Sequence, residues 1–301
     1  MDLSLVIDGQ SVSVPGIAAL GVTVGFVAGM FGVGGGFLLT PLLTVVFGVP
    51  LTISVGSGLC QMVGTALASL LRHRKVGQGE IRVDILMLVG SLVGVEAGAR
   101  LLTALSAAGN VTVLGHTGPM VNFVVEATYA VLLFAISMLF WRQGRHGLHA
   151  LEYVRVGPLS RIRLGPTVDL PAVHLRNVSA ILVAELGLAL GLLSGLLGIG
   201  GGIALMPVLI YGFGFPMRQA AGTGILVLLA TSTFGTFVHA LRGNVNLPLS
   251  MVLLAGASIS AQFGALATRN LPAHTLRRIF SVVVLAAMVA VLWDLRRRFT
   301  Q

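Results

Sequence analysis

Two apolar stretches in this chain are too long to be single membrane-spanning helices. They cover residues 16–48 and 178–213. One helix over either would be about 50 Å long, against a hydrocarbon core of about 30 Å. Each carries a glycine cluster near its middle, "MFGVGGGFLLTPLL" at 30–43 and "LLGIGGGIALMPVL" at 196–209. Each is therefore expected to form two short helices separated by a break.

Six further apolar segments, at roughly 52–71, 84–105, 120–141, 219–241, 247–268 and 276–294, have ordinary spanning lengths. Only 10% of residues are charged, whereas a soluble domain has about 25%. The mean hydropathy is +0.96. A multi-pass protein of the cell membrane, a bacterial inner membrane if the source is bacterial, is the class that accommodates this. The net charge of +9 does not point to nucleic acid, because the basic residues lie in gaps between apolar runs, as the positive-inside rule requires. The single cysteine, Cys60, excludes an internal disulfide and a multi-cysteine metal site, and reads as a small buried side chain. The first Lys or Arg is Arg72, so no cleavable signal is expected. No cofactor or metal motif is present.

The sequence matches itself at an offset of 166 without a gap from Gly25 to Ala99. Gly32, Gly34, Gly35 and Gly36 fall on Gly198, Gly200, Gly201 and Gly202, Pro41 on Pro207, Ser57 on Thr223, and His73 on His239. The expected fold is an all-α polytopic membrane protein of two homologous four-segment repeats, each beginning with a Gly-broken helix that either crosses or re-enters. Residues 1–141 would form the first repeat, 142–177 an Arg-rich cytoplasmic linker with a short amphipathic helix near 148–156, and 178–301 the second repeat.

A helix break in lipid must be covered by protein or a wet cavity, since an unpaired backbone group there costs several kcal/mol. A helix restarting after the glycines offers free N–H groups at its positive end, which attracts anions. Gly34, Gly35, Gly36 and Gly200, Gly201, Gly202 are the expected substrate-binding residues, with the hydroxyls of Ser57 in "GSG" and Thr223 in "GTG" as added donors. Secondary transporters place their sites in this way, near the midplane between repeats. For Gly25, Gly29, Gly90, Gly94 and Gly98, close helix packing is the better reading. A nucleotide-binding glycine loop lacks its preceding strand and following Lys-Ser/Thr.

The doubled G-x-G-G-G-x4-P-x-L pattern, with G-[ST]-G about 20 residues later, resembles the sulfite exporter TauE/SafE family of membrane permeases. The resemblance spans both halves. It implies transport of sulfite, sulfonates and related small organic anions. The residues alone give only an anion.

Glu96, Glu126 and Glu185 lie within or near apolar segments, where acids are expensive and often functional. Proton or sodium coupling would fall to Glu185 first, which leads into the second broken segment, then to Glu96, His73 and His239. The bland readings are a Glu96–Arg100 pair four residues apart and interfacial histidines. Charge counting does not fix the topology. Crossing and re-entrant forms of the long segments both give 14 Lys and Arg on one side and 5 on the other. Helix length and the acidic N-terminus favour re-entry. An uncoupled anion channel is the alternative function, and an intramembrane enzyme a weaker one, since no H-E-x-x-H or paired Asp motif occurs.

Overall fold

The computed structural model describes residues 4–31, 34–76, 80–113, 116–144, 157–270 and 273–300. The fold is mostly helical. In chain order the helices are α1 (Val14–Phe31), α2 (Gly36–Phe47), α3 (Leu51–Val76), α4 (Ile81–Ala107), α5 (Met120–Gly144), α6 (Ala180–Leu197), α7 (Gly202–Pro207), α8 (Met217–Gly222), α9 (Ile225–Leu241), α10 (Leu247–Asn270) and α11 (Ala273–Thr300). A π-helical segment, Val208–Phe213, follows α7. Six helices, α1, α3, α4, α5, α6 and α10, are long and apolar enough to span a bilayer. Val131, Phe134, Met251, Phe263 and Trp293 are exposed large apolar side chains, as expected where lipid is the solvent.

Both long stretches break at their glycines. The expected helix at 219–241 does not form in one piece: it divides into α8 and α9 at Thr223–Gly224. The all-α expectation also needs correction. Among the described residues there are three short antiparallel hairpins, one before α1, one between α4 and α5 and one between α5 and α6: β1 (Ser4–Ile7) with β2 (Gln10–Ser13), β3 (Asn110–Val113) with β4 (His116–Pro119), and β5 (Thr167–Leu170) with β6 (Leu175–Ser179). Strands of four or five residues are too short to imprint a clear alternation on the sequence. The last hairpin organises part of the stretch read as linker. The amphipathic helix expected at 148–156 lies outside the described residues.

Glycines set the closest helix pairs. A methyl at Gly21, Gly25 or Gly29 of α1 would strike the backbone of Leu253, Ala257 or Ala261 of α10. A methyl at Gly90, Gly94 or Gly98 of α4 would strike Ala184, Leu188 or Leu192 of α6. The absent side chains let the backbones touch, which is how membrane helices gain dispersion contact. Each of these pairs joins a helix before the linker to one after it, so the two ends of the chain interlock.

The same contacts fix helix direction. The residue numbers rise together in α1–α10 and α4–α6, so both pairs are parallel. Ser57 meets Asn246 and Gly64 meets Leu254, so α3 and α10 are parallel. Asp84 meets Gly224 and Val95 meets Gly235, so α4 and α9 are parallel. Gly56 lies against His239 while Gly235 lies against Leu59, so α3 and α9 are antiparallel. Hence α1, α3 and α10 run one way, and α4, α6 and α9 the other.

Because α1 and α3 run the same way, α2 must bring the chain back between them. Consistently, Phe47 at the end of α2 packs at Gly16, near the start of α1, and Gln10 reaches Gly48. In the later half, Gly157 N–H donates to Phe213 O (3.3 Å), and Ser179 Oγ donates to Leu164 O (2.5 Å). Both long stretches are thus re-entrant hairpins whose two ends share a surface.

Candidate functional site

Left-handed glycines and a carbonyl that starts the next helix build each break. In the first, Gly34 (φ 77°) and Gly35 (φ 75°) adopt the left-handed conformation that side chains resist. The Gly35 carbonyl then accepts from Leu38 N (3.1 Å) and Leu39 N (3.2 Å), which starts α2. In the second, Gly198 ends α6 by donating to Ser194 O (2.8 Å), and Gly200 (φ 64°) and Gly201 (φ 81°) turn the chain. The Gly201 carbonyl accepts from Leu205 N (3.0 Å), which starts α7. The N–H groups of Gly36 and Phe37, and of Gly202 and Ile203, precede the first acceptor within their helices.

The two breaks meet. A methyl added to Gly34 or to Gly200 would strike the same two side chains, Met62 of α3 and Leu228 of α9. A methyl on Gly36 would strike the Met62 sulfur and come within 2.6 Å of the Gly198 carbonyl oxygen. Thr231 Oγ1 donates to Gly200 O (3.3 Å). Met62 and Leu228 are themselves 166 residues apart; Met62 sits near the middle of α3 and Leu228 in the first turn of α9. Described residues on both sides of the junction are buried, so the structure is closed at this point.

Ser57 and Thr223 are placed elsewhere. Ser57 Oγ accepts from Asn246 N (3.0 Å), and Thr223 Oγ1 accepts from Glu80 N (3.0 Å). Residues 80 and 246 are also related by the offset of 166, and they precede α4 and α10. Each hydroxyl thus caps the entry to a helix from the opposite end of the chain. Antiparallel packing of α3 on α9 sets the two hydroxyls on opposite sides of the junction, each five residues, roughly 8 Å at helical rise, before Met62 or Leu228.

The ionisable residues divide similarly. Glu96 Oε1 accepts from Arg100 Nε (2.7 Å) and from Arg242 Nη2 (3.0 Å), joining α4 to the end of α9. His239 is fully buried; its Nε2 lies 3.0 Å from Gly195 O and its Nδ1 3.4 Å from Asn244 Nδ2. A neutral ring protonated on Nε2 satisfies both neighbours. Glu185 is exposed on α6. The His73 side chain lies outside the described residues.

Two sites went unread in the sequence. Asp84 is buried and its Oδ1 accepts from Gly224 N (2.6 Å), at the division between α8 and α9. The second is a cavity of about 10 Å³, the room of one water-sized sphere, behind the second turn of α2. Thr40, Pro41, Thr44, Glu126 and Tyr129 line it, with apolar neighbours. Glu126 is visible in the sequence as an acid within an apolar segment, but nothing there pairs it with two threonines 80 residues upstream.

This architecture, two glycine-broken hairpins meeting between long apolar helices, is that of a multi-pass membrane protein. The profile of the family described as "Sulfite exporter TauE/SafE" matches residues 17–291, and the chain belongs to that family. Similar proteins include a probable membrane transporter protein of Xylella fastidiosa, 28% identical over 91% of this chain and 92% of its own length. Another is the probable membrane transporter protein YunE of Bacillus subtilis, 24% identical over 89% of this chain and 93% of its own. A third, from the archaeon Methanocaldococcus jannaschii, is 23% identical over 90% and 92%. No solved structure matches the chain.

Proposed function

We propose that this chain is a secondary permease of small anions, with sulfite and organosulfonates as the first substrates to try. The observation that carries the reading is the convergence of both glycine breaks on Met62 and Leu228. Gly34, Gly35, Gly36 and Gly200, Gly201, Gly202 supply backbone amides at helix starts, which stabilise an anion without a fixed cation. Met62 and Leu228 pack into the junction against Gly34 and Gly200. A thioether with three rotatable bonds is suited to swing aside. The filled junction argues against a permanently open channel.

In this reading residues 1–141 and 178–301 are halves of an inverted duplication, joined by the linker at 142–177. Matched partners at one offset support it: Met62 with Leu228, Ser57 with Thr223, and the recipients at 246 and 80. Antiparallel α3 and α9 support the inversion. Ser57 and Thr223 hold the halves together at the two ends of the path, rather than touching the anion at its centre. The family description supports the sulfur-anion class.

The test is flux into proteoliposomes across sulfite, sulfonates and carboxylates. Saturable uptake that follows a sodium or proton gradient is expected. Gly35→Val and Gly201→Val should each lower it at least tenfold while the protein stays monodisperse. Wild-type flux in both variants would refute the reading, and flux that neither saturates nor follows a gradient would make the protein a channel.

A further inference from the structure

Resting on that transport reading, we infer that Asp84 is a proton-binding site of this permease, and that the proton it takes crosses with the anion. Asp84 stands in the first turn of α4 and is 5% exposed. Among the described residues its side chain makes one hydrogen bond, accepted by Oδ1 from Gly224 N. No cationic side chain pairs with it there. Arg82, two residues away, donates from Nη1 to Asp169 O (2.8 Å) in the β5–β6 hairpin instead.

A carboxylate at this place is steadied by the positive ends of two helices, its own α4 and α9, which begins at Ile225. Burial opposes it, as does a second acid one turn earlier. That acid, Glu80, is also buried, and its Oε1 accepts from Arg82 N (3.4 Å). The other ionisable groups on neighbouring elements stand apart. Glu185 of α6 is exposed, Glu126 of α5 lies at the cavity behind α2, and His239 closes the far end of α9. The Arg218 side chain of α8 lies outside the described residues. An intramembrane acid set between opposing influences, with no fixed counter-charge, is suited to taking up and releasing one proton.

Gly224 carries the effect to the junction. Its carbonyl accepts from Leu228 N (2.7 Å), and the Leu228 side chain packs against both Gly34 and Gly200. A methyl on Gly224 would strike Leu205 in the first turn of α7, whose N–H donates to Gly201 O (3.0 Å). With Asp84 ionised, the Gly224 N–H is held and Leu228 stays between the breaks. A proton on Asp84 removes the charge, weakens that bond and frees the start of α9. Conversely, an anion that displaces Leu228 draws Gly224 from the carboxylate and favours proton uptake. It favours it directly as well, because two negative charges on one path repel. Both effects have the same sign, so anion and proton bind together. The proton comes from water on one side and returns to water on the other, and the transport is symport. The offset of 166 puts Ser250 opposite Asp84 and Asn246 opposite Glu80, so the matched position in the other half carries no acid.

The test uses full-length protein in proteoliposomes: wild type, Asp84→Asn, Asp84→Glu and an exposed control, Asp8→Asn. The probe is ³⁵S-sulfite, with the signal of protein-free vesicles subtracted. An inside-alkaline pH gradient should drive accumulation in wild type and Asp8→Asn. Asp84→Asn has no proton to exchange. It should lose that accumulation at least tenfold, while sulfite-for-sulfite exchange without a gradient stays within about threefold of wild type. Asp84→Glu should keep exchange and recover part of the accumulation. Wild-type accumulation in Asp84→Asn overturns the inference. So does a wild type indifferent to the pH gradient. An Asp84→Asn variant that loses exchange as fully as accumulation shows a structural role alone, which also overturns it. If Asp84→Asn is not monodisperse, Asp84→Glu decides: its half-maximal pH for accumulation should move by about half a unit or more, and an unmoved value refutes the site. If wild type moves no anion at all, the permease reading and the symport fail together. Infrared spectra of the detergent-solubilised protein then decide whether the proton site exists. A protonated-carboxyl band that disappears on alkalisation should be present in wild type and Asp8→Asn and missing from Asp84→Asn. The same band in all three refutes it.

Discussion

Two matched glycine motifs behave differently in the two halves. The G-G-G runs break both halves alike. The G-[ST]-G pair does not: at Gly56–Ser57–Gly58 α3 runs on unbroken, whereas at Gly222–Thr223–Gly224 the helix divides into α8 and α9. Local sequence is nearly the same, so the partner decides. Across from Gly224 stands Asp84, whose carboxyl Oδ1 accepts the Gly224 N–H in a short bond (2.6 Å). Across from Gly58, at the matched position, stands Ser250. Its hydroxyl donates to Ser57 O (3.2 Å) and offers no charge to compete for a helical N–H. A glycine motif permits a break; a carboxyl oxygen opposite it, accepting the freed N–H, stabilises one.

The comparison can be broken first at Asp84. Replacing it with Leu leaves the buried Gly224 N–H without its acceptor. A loss of about 3 kcal/mol is expected, seen as a fall in the unfolding temperature of the detergent-solubilised protein. Asp84→Asn keeps a carbonyl acceptor and should lose less than half as much. Equal losses would show that the carboxylate charge does not hold the division.

The glycine runs give the next effect. Gly200→Ala meets both a left-handed backbone and the Met62 and Leu228 side chains, and should cost about 2–3 kcal/mol. Gly201→Ala has the same backbone conformation, but its methyl would find only Leu190, at an ordinary 3.6 Å. About 1 kcal/mol is expected there. If the two variants unfold at the same temperature, the junction is looser than described.

Smaller still are the paired caps. Ser57→Ala and Thr223→Val each remove one hydroxyl that accepts a backbone N–H from the opposite half, and each should cost about 1 kcal/mol. Their effects should agree within about 0.5 kcal/mol if the caps are equivalent. A clear inequality would sharpen the contrast between the Asp84 and Ser250 ends. Smallest is Arg100→Ala. Its pair with Glu96 is largely exposed, and Glu96 keeps Arg242, so a change below about 0.5 kcal/mol is expected in the same thermal assay.

Much of this architecture was legible from residue order. The breaks could be read because no apolar helix of that length fits a bilayer, and the packing role of Gly25, Gly29, Gly90, Gly94 and Gly98 follows from their spacing. Direction could not be read. Both topologies place 14 basic residues on one side, and what separates them is which backbone each glycine touches. The hydroxyls of Ser57 and Thr223 were read toward the anion because an offset matches residues without showing where they point; in the folded chain they cap helices some distance from the junction. Glu126 stood out as an intramembrane acid. Its cavity did not, because Thr40, Thr44 and Tyr129 come together only when α2 turns back onto α5.

The central claim is that an anion passes where the two breaks meet, against Met62. The direct measurement is initial sulfite uptake by reconstituted Met62→Glu beside Met62→Gln, two side chains of nearly the same shape that differ in charge. Uptake at least tenfold lower with Glu than with Gln at neutral pH is the expected result, because a fixed negative charge at the junction repels the substrate. Equal uptake by the two variants would mean that the anion takes another route.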